Sequence, residues 1–124
     1  MSLDDFYFPS EKRNQLARKI HPLLSTRGVP GTHDITALGR IITMLNQKQI
    51  GFSIPRFDKA TDEPFPEKHW TTIEQPIDII ILEGWCWGVK PQTDEQLKNP
   101  INELEFQHDS NGIWRHFVNE QLRK

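Results

Sequence analysis

Residues 77–84 read Ile-Asp-Ile-Ile-Ile-Leu-Glu-Gly, a β-branched run that stops on a carboxylate and then a glycine. No other stretch limits the possible folds as tightly. The run predicts a buried strand over Ile77–Leu82, of the kind found in parallel sheets. In open α/β sheets, ligands bind beyond the carboxyl ends of the strands. Such a strand delivers Glu83 to a place where an acid meets a metal or a phosphate. The competing reading is a surface glutamate just past a strand end.

The rest of the chain supplies helices around that strand. Ser10 is a candidate N-cap with Glu11 in the first turn. Leu16, Ala17 and Ile20 share one helical face, and Pro22 stops the helix near His21. Arg27 to Thr32 reads as a tight Gly/Pro loop, with Thr32 as the cap of a second helix and Asp34 near its positive end. Ile35, Leu38, Ile41, Ile42 and Leu45 then recur at helical spacing to about Asn46. Ile50 to Phe57 is a weaker strand whose Pro55 suits an edge. Asp58 to Trp70, rich in charge and proline, reads as a mobile loop, and Gly84 to Asn99 as mostly loop. A short helix over Pro100–His108, a turn at Asp109–Gly112 and a helix over Ile113–Leu122 complete the order. This order is that of an α/β unit, although two strands do not complete a sheet.

Composition narrows the function. A chain of 124 residues is one domain, and its net charge of -2 draws it to neither nucleic acid nor an anionic membrane. A single cysteine, Cys86, excludes an intramolecular disulfide and suits a reducing cytosol. No apolar run approaches the roughly 18 residues that a spanning helix needs.

Several small constellations carry chemistry, each with a plainer alternative. Asp4 and Asp5 form a carboxylate pair able to accept or orient a hydroxyl proton, or simply an acidic turn. Arg27, His33 and Asp34 bracket a loop that opens a helix and attracts anions there, or caps it in the ordinary way. Arg56, Asp58 and Lys59 stand where a strand becomes the long loop. Cations there can grip a carboxylate or phosphate, or merely solvate the loop. The five histidines lack metal-ligand spacing. Lys12, Arg13, Arg18 and Lys19 read as the wet face of a helix, and the four tryptophans as core or pocket wall.

Leu3-Asp4-Asp5-Phe6-Tyr7 resembles the Asp-x-Phe-Tyr motif of uridine-kinase-like and pantothenate-kinase-like P-loop kinases. The whole chain resembles D-glycerate 3-kinases and their bacterial relatives. The resemblance rests on His21–Leu24, Thr26–Asp34, Pro55–Lys59, Leu82–Cys86, Asn99–Asn102 and Trp114-Arg115. It implies an α/β, partial P-loop kinase-like three-layer fold with a small, mainly parallel sheet. It also implies transfer of the ATP γ-phosphate to a hydroxyl of D-glycerate or a similar small hydroxy acid, with Mg²⁺. By the related kinases, Asp4 is the base candidate and Glu83 the acid near metal-bound water. Arg27, His33, Asp34, Arg56, Asp58 and Lys59 are then the substrate-side candidates.

One departure qualifies the resemblance. In the family a strand and a Gly-x-x-Gly-x-Gly-Lys-Ser/Thr loop precede the Asp-Phe-Tyr motif, and no such loop occurs in these 124 residues. The chain is therefore expected to be a single partial kinase-like domain over 1–124, inactive alone, with neither ATP nor Mg²⁺ held tightly. The alternative is a non-catalytic metabolite-binding or interaction protein on the kinase scaffold. A cytoplasmic location is expected, with no nucleic-acid or membrane partner. Removal of a neighbouring strand would bare the edge of Ile77–Leu82, so a homo-oligomer formed through that edge is expected.

Overall fold

The computed structural model describes residues 1–123, which fall into two compact units. One holds residues 1–10 and 33–85; the other holds residues 11–32 and the chain from Cys86 onward. The fold class is α/β. Among the described residues, no helix is long and apolar enough to cross a membrane.

The first unit is built on helix α2, Ile35–Asn46; the helix before it, α1, spans Ser10–Lys19. The cap of α2 is Asp34, whose Oδ1 accepts from Ala37 N at 2.9 Å. Thr32, expected in that role, is instead buried and donates its hydroxyl to Val29 O at 2.7 Å. Leu38, Ile41 and Leu45 recur at three- and four-residue steps and are buried with Leu3, Phe6 and Ile73. Leu3–Phe6 forms a 3₁₀ turn capped by Ser2, whose hydroxyl accepts from Asp4 N at 3.3 Å. Three residues per turn put Leu3 and Phe6 on one face, into the core, and leave Asp4 and Asp5 off it.

The strands are short and antiparallel. β1 (Phe52–Ile54) pairs with β4 (Thr71–Ile73), setting Phe52 opposite Ile73 and Ile54 opposite Thr71. β2 (Phe57–Asp58) pairs with β3 (Glu63–Pro64) across a turn that holds Asp62 at φ 60°. The stretch Asp58–Trp70, expected as a loop, is thus largely a hairpin followed by a 3₁₀ turn at Glu67–His69.

The expected strand Ile77–Leu82 needs a correction. It joins no ladder. Parallel pairing is confined to a bridge between Ser2 and Glu83, with Leu3 N donating to Glu83 O at 2.8 Å and Glu83 N to Met1 O at 3.2 Å. Burial does alternate along it as in a strand: Ile80, Leu82 and Gly84 are half-buried, whereas Ile79, Ile81 and Glu83 are exposed. A β-branched run presets such a conformation, but a ladder needs a neighbouring strand paired over several residues, and Met1–Leu3 meets only the end of this run.

The second unit contains α1 from Glu11 on, a 3₁₀ turn at Pro22–Ser25, α3 (Glu103–His108) and α4 (Ile113–Gln121). Arg13, expected on the wet face, is fully buried, while Lys12, Arg18 and Lys19 are exposed. The helical period explains it: residues 13, 17 and 20 lie on one stripe, so Arg13 heads the face that carries Ala17 and Ile20. Asp109 is the unit's polar centre. Its carboxylate accepts from Trp114 N at 2.8 Å and Arg115 N at 3.1 Å, and Arg115 Nη1 also donates to it at 3.1 Å. Arg115 Nε donates to Leu97 O at 2.7 Å. Asn102 caps α3 by accepting from Glu105 N at 2.9 Å, and Glu105 answers by accepting from Ile101 N at 3.1 Å. Gly31 stands at φ 99°, and a Cβ there would lie 2.6 Å from the Phe117 ring. The tryptophans are not all interior: Trp85 and Trp87 are exposed.

Candidate functional site

The 3₁₀ turn at Leu3–Phe6 and the β2–β3 hairpin enclose a cleft of about 460 Å³ in the first unit. Asp4, Asp5, Arg56, Asp58 and Lys59 line it, with Ser2, Phe57 and Phe65 among the walls. Two sequence segments some fifty residues apart thereby meet, and two ion pairs fasten them. Lys59 Nζ donates to Asp4 Oδ2 at 2.7 Å. Arg56 Nε stands 3.6 Å from Asp5 Oδ1, which also accepts from Phe57 N at 3.1 Å. Asp5 therefore anchors the hairpin, and Asp4 lines the cleft paired with Lys59. Asp58 Oδ1 turns back on the hairpin to accept from Ala60 N at 2.9 Å. That bond, with the Thr61 hydroxyl, holds the Asp58 carboxyl below its usual range.

A second layer supports Asp4. The Tyr7 ring stacks on His33 at 4.1 Å between centroids, and the two backbones form an antiparallel bridge. Asp34 N donates to Phe6 O at 2.7 Å, which pins the start of α2 to the same segment. Partial burial pushes the Asp4 carboxyl up. The hydrogen bond and charge of Lys59, joined by the Tyr7 hydroxyl and by His33, outweigh that and hold it below 3.8. Asp4 is thus ionised at neutral pH, as a proton acceptor must be. His33 behaves in the opposite way. Burial lowers it to about 4 against a small upward pull from Asp4, so its ring is neutral. Its Nε2 is buried without a hydrogen-bond partner among the described residues.

The other candidates are placed as follows. Glu83 bridges Ser2 through its backbone, two residues from Asp4, and its side chain is exposed. The Asp34 carboxylate is committed to capping α2. Arg27 lies in the bend of residues 26–29, in the second unit. The residues that the pattern reading undervalued are Asp5 and Tyr7. The available signal was the spacing Asp-x-Phe-Tyr, which on a 3₁₀ turn brings Tyr7 back beneath Asp4.

An ATP kinase implies Mg²⁺ and a nucleotide cradle. Among the described residues no three His, Cys, Asp or Glu side chains converge as a metal cage. Mg²⁺ does not require one, because it is held through one or two carboxylates, waters and substrate phosphates. Glu83, exposed beside the Asp4 turn, fits such a contact through water. The sequence holds no Gly-rich Gly-Lys-Ser/Thr loop to cradle the phosphates.

No family model matches the chain. The chain is 28% identical over 114 residues to the chloroplastic D-glycerate 3-kinase of Arabidopsis thaliana, covering 85% of itself and 25% of that protein. It is 36% identical over 99 residues to the Probable ATP-dependent kinase TDA10 of Saccharomyces cerevisiae, covering 73% of itself and 34% of that protein. Among solved structures, D-glycerate 3-kinase from Cryptococcus neoformans superposes with a TM-score of 0.75 at 30% identity, over 99% of this chain and 47% of that one. The chain thus spans a quarter to a third of the curated relatives' length, and just under half of the solved one.

Proposed function

The chain is homologous to D-glycerate 3-kinase and related P-loop kinases, and from that premise we propose that it carries the acceptor side of an ATP-dependent small-molecule kinase. The acceptor is the hydroxyl of D-glycerate or a similar small hydroxy acid. One observation carries the reading: a single cleft holds an ionised carboxylate, Asp4, beside two cations, Lys59 and Arg56. A hydroxy acid needs both features. Its carboxylate meets the Arg56 fork, and its hydroxyl faces Asp4, which accepts the proton as the oxygen attacks a phosphoryl group. Lys59 leaves Asp4 to bridge toward substrate charge. Tyr7 and neutral His33 keep the Asp4 carboxylate aimed while that exchange occurs. Glu83 is assigned to water on the metal when a nucleotide brings Mg²⁺. ATP, when bound, supplies the phosphoryl group.

The 124 residues lack a phosphate-binding loop, so this chain alone does not turn over. The single cysteine supports a cytosolic setting. NMR titration with D-glycerate tests the acceptor site. Signals of Asp4, Arg56 and Lys59 should move, and glycerol, which has the hydroxyls without the carboxylate, should leave them in place. Silent cleft signals at saturating D-glycerate would refute the reading. Product formed by the pure chain from ATP, Mg²⁺ and D-glycerate would refute its inactivity. The absent loop also favours a second reading, a metabolite-binding protein without turnover. Tight D-glycerate binding in the absence of any nucleotide selects that one.

A further inference from the structure

The β2–β3 hairpin brings Asp58 and Lys59 to the cleft, and each of its strands is tied to the segment that carries Asp4. On the outgoing strand, Asp5 Oδ1 accepts from Phe57 N at 3.1 Å. On the return strand, Glu63 reaches back to Ser10, the first residue of α1. The Ser10 hydroxyl donates to Glu63 Oε1, and Ser10 N donates to Oε2 at 3.4 Å. Glu63 is half-buried and does not line the cleft. A carboxylate held through both oxygens by one residue is fixed in direction as well as in distance.

The two ties grip a piece that is itself anchored. Leu3 and Phe6 sit in the core, Tyr7 stacks on His33, and Phe6 O accepts from Asp34 N. The hairpin has little stiffness of its own. Its ladder is two residue pairs, Phe57 with Pro64 and Asp58 with Glu63. The bonds of Phe65 stay local, from its N to Arg56 O and to its O from Trp70 Nε1. Held by Asp5 alone, such a hairpin swivels about Phe57, and the Lys59 ammonium moves with the turn. With Glu63 on Ser10 the swivel is blocked, and Lys59 Nζ stays 2.7 Å from Asp4 Oδ2.

We infer that Glu63 is a positioning residue of the acceptor site, which clasps Ser10 and thereby holds the hairpin so that Lys59 stands over the cleft beside Asp4. Glu63 touches no substrate in this arrangement and acts through Lys59. The clasp leaves the long Lys59 side chain free to swing from Asp4 to an incoming carboxylate while the backbone stays in place. The consequence for a hydroxy acid rests on the acceptor-site reading above; the clasp itself does not.

A ¹³C titration of the Asp4 carboxyl and an NMR titration with D-glycerate test it, on the full chain and on Glu63→Ala, Ser10→Ala and Glu63→Gln. In both alanine variants the Asp4 carboxyl should titrate higher than in the parent, because Lys59 is no longer held beside it. D-glycerate affinity should fall at least about fivefold in each. The two alanine changes combined should do no more than either alone, since both remove one contact. Glu63→Gln keeps an oxygen for the Ser10 hydroxyl and should titrate close to the parent. A loss of global stability with the hairpin still closed would leave the Asp4 titration unmoved, so this readout separates positioning from a merely structural role. An Asp4 titration indifferent to both alanine variants overturns the inference, as does a double variant whose effects add. D-glycerate that fails to bind the parent refutes the acceptor reading instead, and the Asp4 titration then still judges the clasp.

Discussion

His33 offers the sharpest quantitative test, because its environment makes a signed statement about stability. The ring is buried, stacked on Tyr7, and lowered from 6.5 to about 4. Above pH 6.5 the imidazole is neutral in both folded and unfolded chains, and it costs nothing. Between pH 6.5 and about 4 only the unfolded chain takes the proton, so stability falls as the pH falls. Below about 4 both states are protonated and the loss is complete. At about 1.36 kcal/mol per pH unit, that gap amounts to about 3 kcal/mol. Asp4 is the charge facing the ring, and Lys59 holds its carboxyl below the usual range. The perturbation is His33→Phe, which keeps an aromatic plate under Tyr7 and removes the titrating group. Urea unfolding should be followed from pH 7 to pH 4 for both proteins. The parent should lose about 3 kcal/mol more than the variant across that range. The comparison cancels the other histidines, which are common to both. Parallel stability curves would refute the reasoning, as would a His33 ring signal that titrates near 6.5.

Lys59→Met should raise the Asp4 carboxyl in a ¹³C titration, because the leading stabiliser of its ionised form is gone, and D-glycerate affinity should fall at least about tenfold. Arg115→Met should cost about 3–5 kcal/mol in urea unfolding, since it strips a buried carboxylate of its cation; a change typical of an exposed pair such as Arg18–Glu11 would contradict the role given to Asp109. Gly84→Ala should cost about 1–3 kcal/mol, because the new Cβ would lie 2.5 Å from Leu3 Cβ beneath the Ser2–Glu83 bridge. A fully stable alanine variant would show that this bridge does not set the position of Glu83.

Elements whose signal is local were legible without coordinates. α2 runs Ile35–Asn46, where its apolar period begins and ends, and α4 stops one residue short of expectation. Arg56, Asp58, Lys59 and Asp4 were singled out as chemistry-bearing, and one cleft holds all four. Asp34 shows the limit. Its place at a helix start was evident, yet whether the carboxylate faces a ligand or its own helix depends on the backbone amide of Ala37. Arg13 shows the same limit from the other side, for its charge suggested water while its position on the helical stripe decided burial.

Residue pattern by itself determined the helices, the extended character of 77–82, the kinase-like motifs and the lack of a phosphate loop. Each of these depends on neighbours a few residues apart, whose backbone preferences are intrinsic. Tertiary structure decided that Asp5 anchors the hairpin while Asp4 lines the cleft, how Tyr7 and His33 pack beside Asp4, and that the isoleucine run joins no ladder among the described residues. Those outcomes depend on what arrives from fifty or eighty residues away. Hydrogen bonds, ion pairs and desolvation act only between groups the fold has brought within a few ångströms.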